Sequence, residues 1–440
     1  MTDPQPVLQS VQAWLDVRKA DPLYFVGYSG GLDSTVLLHA LATLAGPQRL
    51  HALHINHQLH AQANSWQRHC EQTAQAMGCA IDCISVAIAP GGEGLESAAR
   101  QARYKAFDAR MPAQTSLWLA HHLDDQLETL MLRLLRGSGL TGLAAMSANR
   151  AQAHYQLIRP LLDLSREQLH QYAQAHQLSW IEDDSNENDA YDRNFLRNQV
   201  MPLLESRWPG YRQTLARSRQ HLAYAAERER TLWREAVSMR CNADGSLRLS
   251  GLAHWQAEDI DSLLYAWLQQ WGLQAPSSQR LEHIRREVIA ARSDAKPQVQ
   301  LDGGSVRRFQ QALYWVPAPP AIGQPPEIVL EQWQSWPGIG ALQLLQSTEG
   351  SGRVRSVLPN LNWRLRAGGE HFWAESRSKG RDLKRWLAEA RVPPWQRERL
   401  PLLFSGDDLI AVSDLAVDRR FAAAEGEPGL KIAFRTEVSD

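Results

Sequence analysis

The chain has 440 residues, 44% of them hydrophobic and 22% charged, a length beyond that of a single core, so roughly two or three domains are expected. That balance is ordinary for globular proteins and excludes wholesale disorder and collagen-like or coiled-coil architectures. No uncharged apolar run reaches membrane-spanning length, and the amino end lacks both a cationic head and an apolar core, so a cytosolic protein is expected. The cysteines, Cys70, Cys79, Cys83 and Cys241, form no C-x-x-C pair, which argues against a zinc site or a disulfide framework.

The formal net charge is -1, from 47 basic and 48 acidic residues, but the charge is unevenly spread. Ile181 to Asp192 holds six acids and no base, whereas Arg193 to Arg240 holds ten arginines against four glutamates. Ser351 to Arg399 holds twelve bases against five acids. These two basic segments carry the charge that a polyanion would need, and solvated helix faces are the plain alternative.

In chain order, strand-like and helix-like patterns alternate: Tyr24 to Tyr28, then Thr35 to Leu44; Leu50 to Asn56, then Trp66 to Met77; Ala80 to Ile88, then Leu95 to Ala109; Leu117 to Ala120, then Asp124 to Leu135. Such repetition predicts a parallel sheet covered by helices on both faces, with ligands at the carboxyl ends of its strands. A further helix is expected from Arg166 to His176 and a boundary near Gly210. Tyr211 to Met239 reads as one long helix and Ala257 to Ala291 as a second helical region, giving a mainly helical middle domain over 211–325. Five prolines between Pro317 and Pro326 read as an extended linker. A small α+β domain over 326–440 should follow, with a strand through Leu361, Trp363 and Leu365 and a helix through Leu383, Trp386, Leu387 and Ala390.

The first strand runs through Ser29-Gly30-Gly31-Leu32-Asp33-Ser34 into a helix. Adjacent glycines let backbone N–H groups approach an anion, serines add donors, and a helix amino end supplies a favourable dipole, so the loop suits phosphate. Asp33 would be repelled by bare phosphate and suggests a bridging Mg²⁺. No Walker lysine follows. A second stretch, Gly137-Ser138-Gly139-Leu140-Thr141-Gly142, matches G-x-G-x-x-G, but it follows a helix instead of a strand and reads as a helix terminator with a tight turn. The histidines of His51 to His60 are spaced so that alternate rings fall on opposite strand faces, which does not suit a metal. Asp125 and Glu128 are expected on one helix face, as are the pairs Arg100 and Arg103, and Arg193 and Arg197.

The motif S-G-G-x-D-S after the first strand resembles the PP-loop ATP pyrophosphatases. Together with Glu96-Ser97-Ala98-Ala99-Arg100-Gln101-Ala102-Arg103-Tyr104, His121-His122-Leu123-Asp124-Asp125-Gln126-Leu127-Glu128-Thr129 and Asp192-Arg193-Asn194-Phe195-Leu196-Arg197-Asn198, it is similar to the tRNA(Ile)-lysidine synthetase family. The likeness continues through Gly368-Gly369-Glu370, Asp382-Leu383-Lys384, Val392-Pro393-Pro394-Trp395 and Pro401-Leu402-Leu403. One departure is His371, where that family more commonly has arginine.

The resemblance implies a PP-loop catalytic domain over 1–210 and tRNA contact by the two domains that follow. It implies adenylation by ATP of carbon 2 of the wobble cytidine in an isoleucine tRNA with a CAU anticodon, then attack by the ε-amine of free L-lysine. ATP would be held by Ser29, Gly30, Gly31, Leu32, Asp33 and Ser34 with Arg100, Arg103 and His122, and Mg²⁺ by Asp33 through phosphates. Asp33, Asp125, Glu128, Arg193 and Arg197 would be catalytic, with Asp125 and Glu128 handling the lysine ammonium. Asp124 is read as an ordinary helix-start acid. Arg377, Lys379, Arg381, Lys384 and Arg385 would contact tRNA. A monomer or homodimer with no protein partner is expected. Three alternatives are weighed: a tRNA thiolase, which would need reactive or cluster-binding cysteines; a glutamine-dependent synthetase, which would need a cysteine where Thr2 stands; and a non-catalytic RNA-binding protein, which leaves the phosphate loop without purpose.

Overall fold

The structure, a computed structural model, describes all residues except 1–4, 89–94, 153, 274–275, 293–294, 375–379 and 437–440. The chain forms two compact units, Met1–Thr231 and Leu232–Asp440. Among the described residues no helix is long and apolar enough to cross a membrane.

The first unit begins with a helix that the sequence reading did not name, α1 (Gln5–Val17), followed by β1 (Tyr24–Gly27), α2 (Leu32–Ala45), β2 (Leu50–Asn56), α3 (Ala63–Ala76), β3 (Ala80–Ser85), α4 (Leu95–Arg110), β4 (Ser116–Trp118) and α5 (Leu123–Leu135). A single turn, α6 (Leu140–Leu143), leads to the hairpin of β5 (Asn149–Gln152) and β6 (Tyr155–Ile158), then α7 (Arg166–Ala175). Beyond it α8 (Asp192–Phe195) passes through a π-helical stretch, Leu196–Val200, into α9 (Met201–Arg207). The long α10 (Tyr211–Arg240) starts in this unit and ends in the next.

The sheet order is β3-β2-β1-β4-β6-β5, parallel throughout except for β5, which pairs antiparallel with β6. Side-chain alternation divides its two faces. Tyr24, Val26, Ala52, Trp118 and Ile158 join the core under α1, α2 and α7, while Phe25, Leu53, Leu117 and Leu157 pack with Phe107 and Met111 from the α4 side. Because the chain winds outward from β1 through β2 to β3 and then returns to place β4 on the other side of β1, the order reverses between β1 and β4. That reversal opens a crevice at the strand ends, into which the loops after β1 and β4 project.

In the second unit the expected helices are α11 (Ala257–Gln269) and α12 (Ser278–His283), the latter continued by a π-helical stretch, Ile284–Ile289. They are accompanied by a four-stranded antiparallel sheet of β7 (Leu247–Arg248), β8 (Gln298–Leu301), β9 (Gly304–Phe309) and β10 (Ala312–Pro317) in the order β7-β10-β9-β8. Next come β11 (Gln334–Trp336), β12 (Gly340–Ser347), β13 (Arg353–Arg355), β14 (Leu361–Arg364), β15 (His371–Phe372), β16 (Arg381–Asp382), α13 (Leu383–Glu389), α14 (Pro394–Arg397), β17 (Leu402–Ser405), β18 (Asp408–Val412), β19 (Ala416–Val417) and β20 (Gly429–Thr436). Here β17 serves two cores at once: Leu403 packs with Trp336, Trp363 and Leu430, while Leu402 and Phe404 pack with Leu383, Trp386 and Leu387 of α13.

Candidate active site

The phosphate loop is held from within and from below. Ser29 Oγ lies 3.0 Å from Ser34 Oγ, which also accepts from Ser29 N–H (3.2 Å), and Ser34 and Thr35 hydroxyls donate to the Gly31 carbonyl at 3.1 and 3.0 Å. Gly30 has φ +84°, and a Cβ there would lie 2.6 Å from Ile181 Cδ1 and 2.7 Å from Cys70 Sγ, so glycine is required on both conformational and steric grounds. Ile181 N–H donates to the Gly30 carbonyl (2.9 Å), tying the start of the acidic segment to the loop.

Asp33, on the first turn of α2, has one buried carboxylate oxygen, Oδ1, without a hydrogen-bond partner, while Oδ2 lies 3.5 Å from His122 Nε2. An orphaned carboxylate oxygen beside a phosphate loop fits Mg²⁺, which takes one or two carboxylates and completes its shell with phosphate oxygens and water.

His122 closes β4 at the head of α5 and is buried among three acids, with Nε2 3.5 Å from Asp125 and Nδ1 3.6 Å from Asp124. Burial alone would lower its pKa, but the carboxylates of Asp124, Asp33 and Asp125 push it up to about 10, so the ring is an imidazolium. Neighbouring His121 is pushed down by burial, and its Nδ1 accepts from Arg159 Nε (3.3 Å). Two adjacent histidines thus differ in charge state, His121 neutral and His122 cationic.

The two carboxylates expected to act as a pair are not equivalent. Asp125 accepts from His122 N–H (3.1 Å) and places Oδ1 3.5 Å from Arg197. Burial opposes its ionisation, but the charges of His122 and Arg193 hold its carboxyl below the ordinary range. Glu128 is buried at 1% exposure and saturated: Arg193 Nε donates to Oε2 (2.9 Å), Arg197 Nε to Oε1 (2.7 Å) and Arg197 Nη2 to Oε2 (3.1 Å). Arg193 also donates to Thr129 Oγ1 (3.1 Å). Burial works against the Arg197 guanidinium, but Glu128 and Asp125 raise its pKa. Asp124 turns away from this group and accepts from Arg166 N–H and Arg212 Nε, each at 2.9 Å, which fastens α5 to α7 and α10.

A cleft of about 600 Å³ runs over these groups, lined among others by Ser29, Asp125, Arg193 and Arg197. Its lining also includes residues not placed in the site from sequence. His54 and Asn56 come from the carboxyl end of β2, Trp66 from α3, stacked on His60 with ring centroids 4.6 Å apart, and Tyr191 stands just before α8. The strand-end rule for ligand sites could have found the first two, whereas nothing local in the sequence marks Tyr191. A second cleft of about 600 Å³ lies across the Glu128–Arg197 pair, lined by Asp124, Glu128, Glu167, Glu205, Arg166 and Arg197 among others. Arg100 is on α4, its guanidinium 5.0 Å from the Tyr104 ring centroid. Arg103 is near enough to Asp125 and Arg193 to feel both charges, and burial pushes its pKa down.

In the second unit, Arg381 and Arg385 both pair with Glu389, and Lys384 N–H is capped by Asp382 Oδ1 (2.7 Å). Arg377 and Lys379 lie outside the described residues. The Gly368-Gly369-Glu370 turn locks itself, because Glu370 Oε1 accepts from Ala367 and Gly368 N–H at 2.6 and 2.7 Å.

Residues 6–204 match the model of a PP-loop domain, 247–314 that of the TilS substrate binding domain, and 361–434 that of the TilS substrate C-terminal domain. The tRNA(Ile)-lysidine synthase of Yersinia pseudotuberculosis serotype O:1b (strain IP 31758) is 40% identical over 423 residues, covering 92% of this chain and 93% of that protein. Those of Alkalilimnicola ehrlichii (strain ATCC BAA-1101 / DSM 17681 / MLHE-1), 38% identical with 92% of each chain covered, and Shigella flexneri, 38% identical with 94% and 96% covered, are similar in extent. At this identity over this much of its length, the chain belongs to the tRNA(Ile)-lysidine synthase family of ATP-dependent tRNA-modifying enzymes.

Proposed function

We propose that the protein joins free L-lysine to carbon 2 of the wobble cytidine in an isoleucine tRNA bearing the CAU anticodon, forming lysidine and changing the codon read from AUG to AUA. The observation that carries this reading is the single cleft shared by Ser29 of the phosphate loop, Asp125, Arg193 and Arg197. Residues 1–210 act as the catalytic domain, while 211–325 and 326–440 contact the tRNA, the last through Arg381, Lys384 and Arg385 among its described residues.

In the first step the cytidine O2 attacks the α-phosphorus of ATP, and pyrophosphate leaves. Backbone N–H groups of Gly30 to Asp33 and the hydroxyls of Ser29 and Ser34 hold the phosphates, and the guanidiniums of Arg100, Arg103, Arg193 and Arg197 offset charge developing on them. Asp33 would hold Mg²⁺, which would supply charge neutralisation on the phosphate oxygens. His122, fixed as a cation beside Asp33 and Asp125, helps keep the Asp125 carboxylate ionised.

In the second step the lysine nitrogen displaces AMP from carbon 2. Asp125, ionised and on the cleft wall, draws in the ammonium; one proton is lost to water to give the neutral amine that attacks, and Asp125 receives a second from the nitrogen as the carbon–nitrogen bond forms. The nitrogen becomes strongly acidic at that moment, so a carboxylate of depressed pKa suffices. Glu128, with both oxygens already taken, holds Arg193 and Arg197 in place.

Incubation with labelled lysine, Mg-ATP and unmodified isoleucine tRNA is expected to place label in the RNA. Sulfur incorporation without lysine would overturn the reading in favour of a thiolase. In the same assay Asp125→Asn should let adenylated tRNA accumulate while lysine transfer falls on the order of 10²-fold.

A further inference from the structure

The segment between Pro317 and Pro326 is fastened along its length. Gly323 N–H donates to the Pro337 carbonyl (2.9 Å), and Trp336 Nε1 donates to the Gly323 carbonyl (3.0 Å). Gly338, at φ +77°, lets the chain pass so closely that a Cβ there would sit 2.4 Å from the Ala321 carbonyl oxygen. Arg399 bridges the same region, donating from Nη1 to the Gly338 carbonyl (2.6 Å) and from Nη2 to the Pro320 carbonyl (2.8 Å).

The other half of the fastening is the tryptophan of Val392-Pro393-Pro394-Trp395, a motif to which the chemistry above gives no task. Trp395, on α14, lies with its ring centroid 6.1 Å from Phe309 and 5.3 Å from Tyr314, and the Arg307 guanidinium sits over it at 5.6 Å. Those three partners belong to β9 and β10, on the far side of the proline segment in sequence. Pro393 and Pro394 fix φ where the short helix starts, so the ring is presented from a stiff support.

We propose that Trp395 and Arg399 are positioning residues that make the β7–β10 sheet and the C-terminal sheets one rigid RNA-reading arm of fixed reach. The proposal rests on the reading that this half of the chain contacts tRNA. Two RNA-contacting surfaces joined by a loose spacer would have to be ordered when RNA binds, and that ordering would weaken binding. Surfaces held at a set separation avoid the cost and admit only an RNA whose phosphates match the spacing.

The test compares Trp395→Ala, Trp395→Phe and Arg399→Ala in the full-length protein. Thermolysin cleavage within 317–330, where Ile322 and Val329 are exposed, should accelerate in both alanine variants, while ATP affinity stays within about twofold of wild type. Affinity for isoleucine tRNA should fall on the order of tenfold with an unchanged salt slope, because the phosphates neutralised are the same and only their preorganisation is lost. Trp395→Phe should recover most of the affinity. Unchanged cleavage would refute the fastening without reference to RNA. Faster cleavage with wild-type tRNA affinity would refute the positioning role, and a shallower salt slope would make these residues direct RNA contacts instead. Arg399 lies outside the hydrophobic clusters, so its variant decides the matter if Trp395→Ala does not fold. Failure of the wild-type protein to incorporate lysine would count against the functional reading alone.

Discussion

Two glycine-rich turns stand at opposite poles of helices in the first unit, and they differ in everything except composition. The Ser29–Ser34 turn leads from β1 into the amino end of α2, where N–H groups lack helical partners, and Gly30 is pressed between Ile181 and Cys70. The Gly137–Gly142 turn leaves the carboxyl end of α5. Gly137, at φ +70°, sends its N–H to Leu134 O (3.1 Å), and Ser138 N–H returns to Arg133 O (2.9 Å), which is the Schellman closure of a helix. Side-chain positions at Gly137 and Gly139 open onto space, with nothing within 4 Å. The first turn offers donors to an anion, whereas the second has already spent its polar groups on ending a helix. Chain direction relative to the helix, more than glycine content, decides which of the two can bind phosphate.

Substitutions can break that contrast at decreasing cost. Asp33→Ala is expected to lower tRNA-dependent pyrophosphate release on the order of 10³-fold while leaving tRNA binding near wild type, since Asp33 is the residue proposed to hold the metal at the phosphates. Unaltered turnover would remove the first turn from the chemistry. Gly30→Ala should reduce the same rate on the order of 10²-fold through displacement of the loop backbone. A variant with normal ATP affinity would show that Ile181 and Cys70 yield easily.

At the amino end of α5, Asp124→Asn should cost about 1–3 kcal/mol of unfolding free energy at neutral pH, read from urea titrations. Burial opposes ionisation of Asp124, but His122, Arg166 N–H and Arg212 hold its folded pKa below the ordinary value. The carboxylate's contribution is therefore complete above about pH 4 and lost as pH falls through the lower folded value, so wild type and variant should converge in acid. A gap independent of pH would assign the loss to packing. Smallest of all, Gly139→Ala should change stability by less than about 0.5 kcal/mol and leave ATP binding alone. Loss of ATP affinity there would promote the second turn to a ligand site.

Much of this molecule is written locally. Strand and helix alternation from Tyr24 to Leu135, the glycine-serine turn and the helix-ending turn each depend on periodicity or backbone chemistry within a few residues, so local sequence suffices for the doubly wound sheet and for a turn suited to phosphate. It also brought Asp125 and Glu128 to one helix face. Their difference in partners comes from the tertiary structure, because Arg193 and Arg197 lie 65 and 69 residues further along the chain from Glu128. Only the fold brings them to Glu128 and leaves Asp125 on the cleft wall. The same holds for Tyr191, for the β5–β6 hairpin that extends the sheet, and for the proline segment, whose composition reads as a spacer until Trp395 and Arg399 reach back to it. Spacing along a chain fixes which way side chains point, but burial, charge state and partner choice depend on what the rest of the chain brings within a few ångströms.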